Sequence, residues 1–516
     1  MNAAASHLTP ADYLKKILTA RVYDVAVESN LEPARALSKR VHNTVLLKRE
    51  DQQPVFSFKL RGAYNKIAGL DAQARARGVI CASAGNHAQG VALAGRSRGI
   101  PAWSVRPRTT PTIKVESVRR LGGKAILHGD AYDDAQAHAG QLAAERGMTL
   151  IHPYDDPEVI AGQGTVAREV FEQLASLNLQ SLDAIFVCTG GGGLLAGVAA
   201  WVKHVSPHTR VISVEPEDSD CMAQALSAGR RVKLGQVGLF ADGVAVKQAG
   251  AEPFRVCREL VDAWMRVSID EICAAIRDMF YENRAVPEPA GALGVAGVKR
   301  WVAEHGVSGQ NLCAIVSGAN VNFDRLRHIA ERAELGEHRE ALFAVTIPER
   351  PGSFLDFCER LGRRAVTEFH YRYADSGDAH VFVGVKLGKA SERAALVADF
   401  AGAGFEVTDL SESEMAKVHV RYMVGGRVPG LKNELLFRFE FPERPGALLG
   451  FLQRIGTRWN ISLFHYRNHG AAYGRVLVGI QVPADEHKAC RDTLDSLSYA
   501  YFEETGNPAY ELFLGT

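Results

Sequence analysis

Lys59 stands in VFSFKLRGAYN (55–65), behind an aromatic run and at what reads as the start of a helix. A lysine so placed is either an ordinary helix-start side chain or an amine held for chemistry. Three other clusters could serve such an amine. CASAGNHAQG (81–90) passes from an apolar run into a helical pattern through Ser83, Ala84, Gly85, Asn86 and His87. Small residues at a helix start leave backbone N–H groups that can seat a carboxylate, although a simple Ser/Asn helix cap is the plainer alternative. TGGGGLLAG (189–197) puts Gly190, Gly191, Gly192 and Gly193 directly after AIFVC, where bare amides and the positive end of the next helix admit a phosphate. In SGANVN (317–322), Ser317 offers a hydroxyl to a ligand atom or a cap to the next helix.

Two cofactor chemistries compete for these residues. Gly191, Gly193 and Ala196 satisfy GxGxxA, and Glu215 ends the next strand about where a ribose-binding acid would sit. That fingerprint usually opens its domain, however, and here several strands precede it. A lysine, an asparagine loop, a glycine cradle and a serine suit hydride transfer poorly and pyridoxal 5'-phosphate well. That cofactor needs an amine to bond its aldehyde, a phosphate seat, and partners for its phenolic oxygen and ring nitrogen.

The elements that must position these groups follow from periodicity. Short apolar runs, VICA (79–82), AWSV (102–105), KAIL (124–127), TLIH (149–152), AIFVC (184–188), VISVE (211–215) and CAIVS (313–317), alternate with helical windows at 86–98, 131–146 and 158–176. Such alternation predicts parallel strands covered by helices, with ligands beyond the carboxyl ends of the strands. The charged stretch ERAELGEHRE (331–340) reads as a helix end or linker. A repeat follows it: FAVTIPERPGSFLDFCERLG (343–362) returns as FRFEFPERPGALLGFLQRIG (437–456), and HYR recurs at 370–372 and 465–467. Each copy reads strand, helix, strand, strand, helix, strand; in the first these fall at 342–347, 351–361, 366–373, 380–387, 391–402 and 405–410.

At 516 residues the chain suggests roughly two to four domains. Lys plus Arg number 60 against 59 for Asp plus Glu, so no net field points to nucleic acid or to a membrane surface, and a small ligand is the better expectation. The eight cysteines show neither a CxxC pair nor metal-ligand spacing, a reduced intracellular pattern, and no metal site is expected. The N-terminus lacks a basic start followed by an apolar block; Thr9 and Pro10 read instead as the cap and first turn of a helix. With no apolar run of the ~20 residues a bilayer requires, the reading is a soluble cytoplasmic protein.

SFKLRGAYN, ASAGNHAQG, TGGGGLLAG, PEPAGA and SGANVNF, in this order, resemble the threonine/serine dehydratases of the tryptophan-synthase β-like class of pyridoxal phosphate enzymes. The two repeats are similar to the ACT-like regulatory modules of the biosynthetic members. The resemblance implies an α/β catalytic domain of two parallel-sheet subdomains at 1–330, a linker at 331–340, and α+β modules at 341–425 and 426–516. It implies that Lys59 bonds the cofactor with Phe58 packed by the ring, and that Asn86 meets the phenolic oxygen. Gly190, Gly191, Gly192 and Gly193 would hold the phosphate, Ser317 would face the ring nitrogen, Gly243 would lie behind the ring, and the backbone of Ser83 to His87 would seat the substrate carboxylate.

By the same resemblance the reaction is dehydration of threonine to 2-oxobutanoate and ammonia, with serine a secondary substrate. Related serine racemases carry a serine where this chain has Ala84, so dehydration is expected over racemisation. Glu288 in PEPAGA lies near the substrate in that family, and its plainer role is a capping acid before Pro289. A cation site near Glu215 is put in doubt by Cys221, which stands where an acid is expected. Gly352 and Gly446 occupy the turn where ACT-like units bind amino acids, implying feedback by isoleucine, opposition by valine, and a homotetramer.

Overall fold

A computed structural model of the chain describes residues 8–362, 364–373, 377–442, 447–455, 458–467, 473–497 and 499–515. It divides into two compact units, Met1–Gly336 and Glu337–Thr516.

The first unit holds two sheets. Strands β1 (Leu31–Pro33), β2 (Thr44–Arg49), β3 (Val79–Ala82), β4 (Ala102–Arg106), β5 (Lys124–Leu127), β6 (Thr149–Leu150), β7 (Ala184–Cys188), β8 (Arg210–Pro216), β9 (Ala263–Val267) and β10 (Asn311–Val316) are all short. The larger sheet runs β1-β2-β10-β7-β8-β9, parallel except for β1, and the smaller runs β5-β4-β3-β6, wholly parallel. Strands buried on both faces read as continuous apolar runs, and all five residues of AIFVC are buried. The smaller sheet interrupts the larger between β2 and β7. Carboxyl ends of strands from both sheets, at Ala82, Cys188 and Val316, therefore deliver the residues that follow them to one cleft.

The seven apolar runs above are β3, β4, β5, β6, β7, β8 and β10, and helices occupy Asn86–Arg98, Tyr132–Arg146 and Pro157–Gln173. Three strands lay outside that reading. The edge strand β1 is three residues long; β2 ends in Lys48 and Arg49, charges that are buried because carboxylates meet them; β9, AWMRV, exposes Trp264 and alternates too briefly to stand out. Of the two readings of 331–340, the helix end holds and the linker does not. A helix, Arg325–Gly336, fills its first half and a strand begins at Glu340. The charges misled: Arg332 is buried against Asp270, and Ala333 and Leu335 are buried apolar side chains of the same helix.

The second unit is one antiparallel sheet. Its strands β11 (Glu340–Pro348), β12 (Val366–Arg372), β13 (Asp378–Lys386), β14 (Glu406–Asp409), β15 (Glu434–Pro442), β16 (Asn460–Arg467), β17 (Tyr473–Gln481) and β18 (Tyr501–Glu503) follow the order β14-β11-β13-β12-β16-β17-β15-β18. The two copies of the repeat join through β12 and β16, where His370 pairs with His465, the equivalent residue of the two HYR tripeptides. Arg372 of the first copy pairs with the buried Glu434 of the second, and one apolar core runs through both.

Candidate functional site

The cleft of the first unit has a volume of about 1060 Å³, and every site residue expected there lines it: Phe58, Lys59, Ser83 to His87, Gly190 to Gly193, Gly243 and Ser317. Lys59 opens the helix Lys59–Ala68. Its amine donates to the Pro153 carbonyl at 3.1 Å and lies 5.2 Å from the centre of the Phe58 ring. Burial is the main cause that brings this amine down to about 8, against smaller opposing effects of Cys188 and Glu288. The segment holding it is stitched to the Ser317 loop: the Phe58 N–H donates to the Ser317 carbonyl and the Ala319 N–H to the Phe56 carbonyl. A buried cluster beneath fixes the helix itself, since the Arg61 guanidinium donates to Glu50 and Glu169, and Lys48 meets Glu169 at 2.7 Å.

The glycine run tests whether a phosphate-bearing cofactor fits. A Cβ on Gly191 would fall 2.3 Å from the Tyr154 ring, on Gly190 2.9 Å from the Val244 backbone, and on Gly193 2.9 Å from Tyr154. Gly192 has φ 94°, a conformation that a side chain would strain. Among the described residues, nothing accepts the N–H groups of Gly190, Gly191 or Gly192. Unclaimed amides at the start of the helix Gly193–Val205, facing a cleft that also holds a buried amine, fit pyridoxal phosphate.

The asparagine loop begins the helix Asn86–Arg98 with Gly85 as its cap and no side-chain cap bond. Ser83 accepts instead from the Gly85 N–H, and the first turn leaves N–H groups without helical partners at the cleft. His87 donates through Nε2 to the Ile151 carbonyl, its Nδ1 is buried without a partner, and burial brings it to about 3, so the ring is neutral. Ser317 is no cap either. No helix starts beside it, and its hydroxyl meets the Ala290 carbonyl at 3.4 Å and the Cys188 thiol. Gly243 lies against Ala290 and Glu288.

Glu288 precedes the helix Pro289–His305 without capping it. Its carboxylate instead accepts from the Asn86 amide at 2.6 Å. Burial first, then the charge of Asp242, push it up to about 7. Glu215 takes no part in the cleft. It is buried, accepts from the N–H groups of Met222 and Ala223 at 2.9 and 2.6 Å, and is raised to about 8 by burial. An acid so engaged does not serve a ribose, and among the described residues no metal-ligating cluster forms around it or elsewhere.

Residues missed in the sequence include Tyr154, Cys188 and Asn320. The rule that ligands gather past strand ends applies to Pro153 and Tyr154, which follow TLIH. Asn320 reaches Asn86 across 234 positions, which no local pattern reveals.

In the second unit Gly352 caps the helix Ser353–Leu361 with φ 96°. That helix starts two residues beyond Pro351, which lies in the turn instead of opening it. A small crevice beside Gly352 is walled by Ile347, Phe354, Leu452, Trp459 and Ile461, with Arg350, Tyr371 and Asn460 at its polar side. The Ser353 hydroxyl within it is buried and unpartnered. Gly446 lies outside the described residues. All eight cysteines are buried and unpaired, and no helix among the described residues is long and apolar enough to cross a membrane.

Comparison with known proteins bears on this geometry. A model of pyridoxal-phosphate-dependent enzymes matches residues 24–318, and one of the C-terminal regulatory domain of threonine dehydratase matches twice, at 331–420 and 425–514. The chain is 58% identical to the biosynthetic L-threonine dehydratase of Burkholderia multivorans, covering 99% of this chain and 100% of that one. It is 52% identical to the Escherichia coli enzyme of that name, over 98% and 97%. Among solved structures, the processed form of threonine deaminase isoform 2 from Solanum lycopersicum aligns with TM-score 0.61 and 47% identity, over 63% of this chain and 93% of that one. Maize serine racemase aligns at 0.57 and 33%, over 61% and 95%.

Proposed function

The chain belongs to the biosynthetic threonine dehydratases, pyridoxal-phosphate-dependent lyases with a C-terminal regulatory domain, and from that premise we propose how its own residues divide the work. The observation carrying the proposal is the convergence of Lys59, Asn86, Gly190 to Gly193 and Ser317 on one cleft. When bound, pyridoxal phosphate supplies an aldehyde to attach amines and an electron sink that acidifies the substrate's α-proton. The amides of Gly190 to Gly193 would hold its phosphate, Asn86 would donate to its phenolic oxygen and Ser317 would lie toward its ring nitrogen. A hydroxyl there, unlike an aspartate, does not keep that nitrogen protonated, which favours elimination over amino transfer.

Lys59 would hold the cofactor through its amine and act as the base for the substrate's α-proton; an amine held at about 8 is an effective base near neutral pH. The backbone from Ser83 to His87 orients the substrate carboxylate. The α-proton and the β-hydroxyl are lost as water, and hydrolysis of the remaining C–N bond yields 2-oxobutanoate and ammonia, with serine a slower substrate. Ala84 places no second proton donor on the cleft wall, so the product is an oxo acid and not the mirror-image amino acid.

In the regulatory unit we place an amino-acid effector at the turn of Gly352, where the crevice, about 20 Å³, would have to widen to admit it. Its carboxylate would meet the start of the helix Ser353–Leu361, and a branched side chain would meet the apolar wall. Isoleucine is the inhibiting effector in this reading, valine opposes it, Gly446 serves the second copy, and the enzyme is a cytoplasmic homotetramer. The test is oxo-acid formation from threonine and serine with and without isoleucine. Threonine turnover that isoleucine suppresses is expected; turnover indifferent to isoleucine would refute the regulatory part.

A further inference from the structure

Asn86 is held between two groups that the proposed roles leave unused. Its Oδ1 accepts from Asn320 Nδ2 at 2.8 Å, and its Nδ2 donates to Glu288 Oε1 at 2.6 Å. The same Asn320 Nδ2 donates to the Val55 carbonyl at 2.8 Å, so both of its hydrogens have acceptors. Turning the Asn320 amide over would strip Val55 of its partner and bring two oxygens together. Val55, in turn, lies in the strand of chain that carries Phe56 and Phe58 to their bonds with Ala319 and Ser317.

This arrangement decides which way Asn86 faces. With Oδ1 committed to Asn320 and one Nδ2 hydrogen to Glu288, the remaining N–H is unclaimed at the wall of the cleft. A reversed amide would set its NH2 group against that of Asn320 and its oxygen against the Glu288 carboxylate, two like-to-like contacts in a half-buried setting. Glu288 alone cannot guarantee the choice, because a carboxyl raised to about 7 spends part of its time protonated near neutral pH, when it can donate to either orientation. Asn320 has no such ambiguity.

We propose that Asn320 is a positioning residue that, with Glu288 opposite, locks the Asn86 carboxamide as a hydrogen-bond donor toward the cofactor's phenolic oxygen. The proposal rests on the assignment of Asn86 made above. Replacing Asn320 with alanine removes the lock. Replacing it with aspartate inverts it, since a carboxylate offers only acceptors to Asn86 and Val55.

The test uses full-length enzyme with Asn320→Ala, Asn320→Asp and, as control, Asn86→Ala. Two quantities are read: the dissociation constant of pyridoxal phosphate, and the visible absorption band of the bound cofactor at saturation, which a merely structural role would not move. Asn320→Asp is expected to weaken cofactor binding by about tenfold, with the band displaced in the same direction as in Asn86→Ala and a smaller displacement in Asn320→Ala. Wild-type affinity and band in both Asn320 variants, alongside a changed Asn86→Ala, would overturn the proposal. An unchanged Asn86→Ala would overturn the assignment beneath it instead. If the aspartate variant does not fold, the alanine variant decides by the same two readings.

Discussion

The state of the Lys59 amine in the enzyme stripped of cofactor can be tested by pH alone. Only the neutral amine attacks an aldehyde. At its ordinary value of 10.5 about one such amine in 3,000 would be neutral at pH 7, whereas at about 8 it is about one in ten, a gain of about 300-fold in the reactive form. The dominant cause is burial of the side chain at the floor of the cleft, so the gain belongs to the folded protein. Mixing stripped enzyme with pyridoxal phosphate and following the visible band gives a capture rate at each pH. That rate should climb about tenfold per pH unit and level off near pH 8. Because Glu288 opposes the shift, Glu288→Gln should move the bend to lower pH. A rate still climbing through pH 9 and 10 would refute the reasoning. The sign carries over to stability. Between about 8 and 10.5 the unfolded lysine holds a proton that the folded one has released, so this group makes the stripped enzyme more stable as pH rises through that window.

Three further outcomes follow from particular contacts. Gly191→Ala puts a Cβ 2.3 Å from the Tyr154 ring; overpacking of this kind costs about 1–3 kcal/mol, and equilibrium dialysis should show weakened cofactor binding, while unchanged binding would contradict the cradle. Arg61→Met leaves Glu50 and Glu169 with one fewer buried cation. Breaking a buried ion pair costs about 3–5 kcal/mol, so the unfolding midpoint of the catalytic unit should fall, and a retained midpoint would show that the cluster does not hold the Lys59 helix. Removing residues 337–516 should leave threonine dehydration intact and abolish its response to isoleucine; a truncated enzyme that isoleucine still inhibits would place the effector elsewhere.

Much of the site was legible because its parts are local. Four glycines after a buried strand, or a small-residue loop before a helix, announce an anion seat within a few positions, and the repeat announces its second copy by its own sequence. What stayed hidden depends on distance. Lys48 and Arg61 carry no local mark of burial, because Glu169 reaches them from another helix and Glu50 meets Arg61 from eleven residues away. The stretch 331–340 admitted a linker as well as a helix end because Asp270, which meets Arg332 there, lies 62 positions away. Glu288 reads as a cap before proline, and only the fold brings it to Asn86 across 202 positions. The joining of β12 to β16, which merges two modules into one sheet, likewise leaves no mark in either copy alone.

The central claim is that Lys59 is the amine that carries the cofactor, and reduction of the native holoenzyme with borohydride followed by peptide mass spectrometry tests it most directly. The account predicts that the reduced cofactor is found on the peptide containing Lys59 and is missing from a folded Lys59→Ala variant that no longer dehydrates threonine. Cofactor fixed to another lysine, or substantial threonine dehydration by Lys59→Ala, would contradict it.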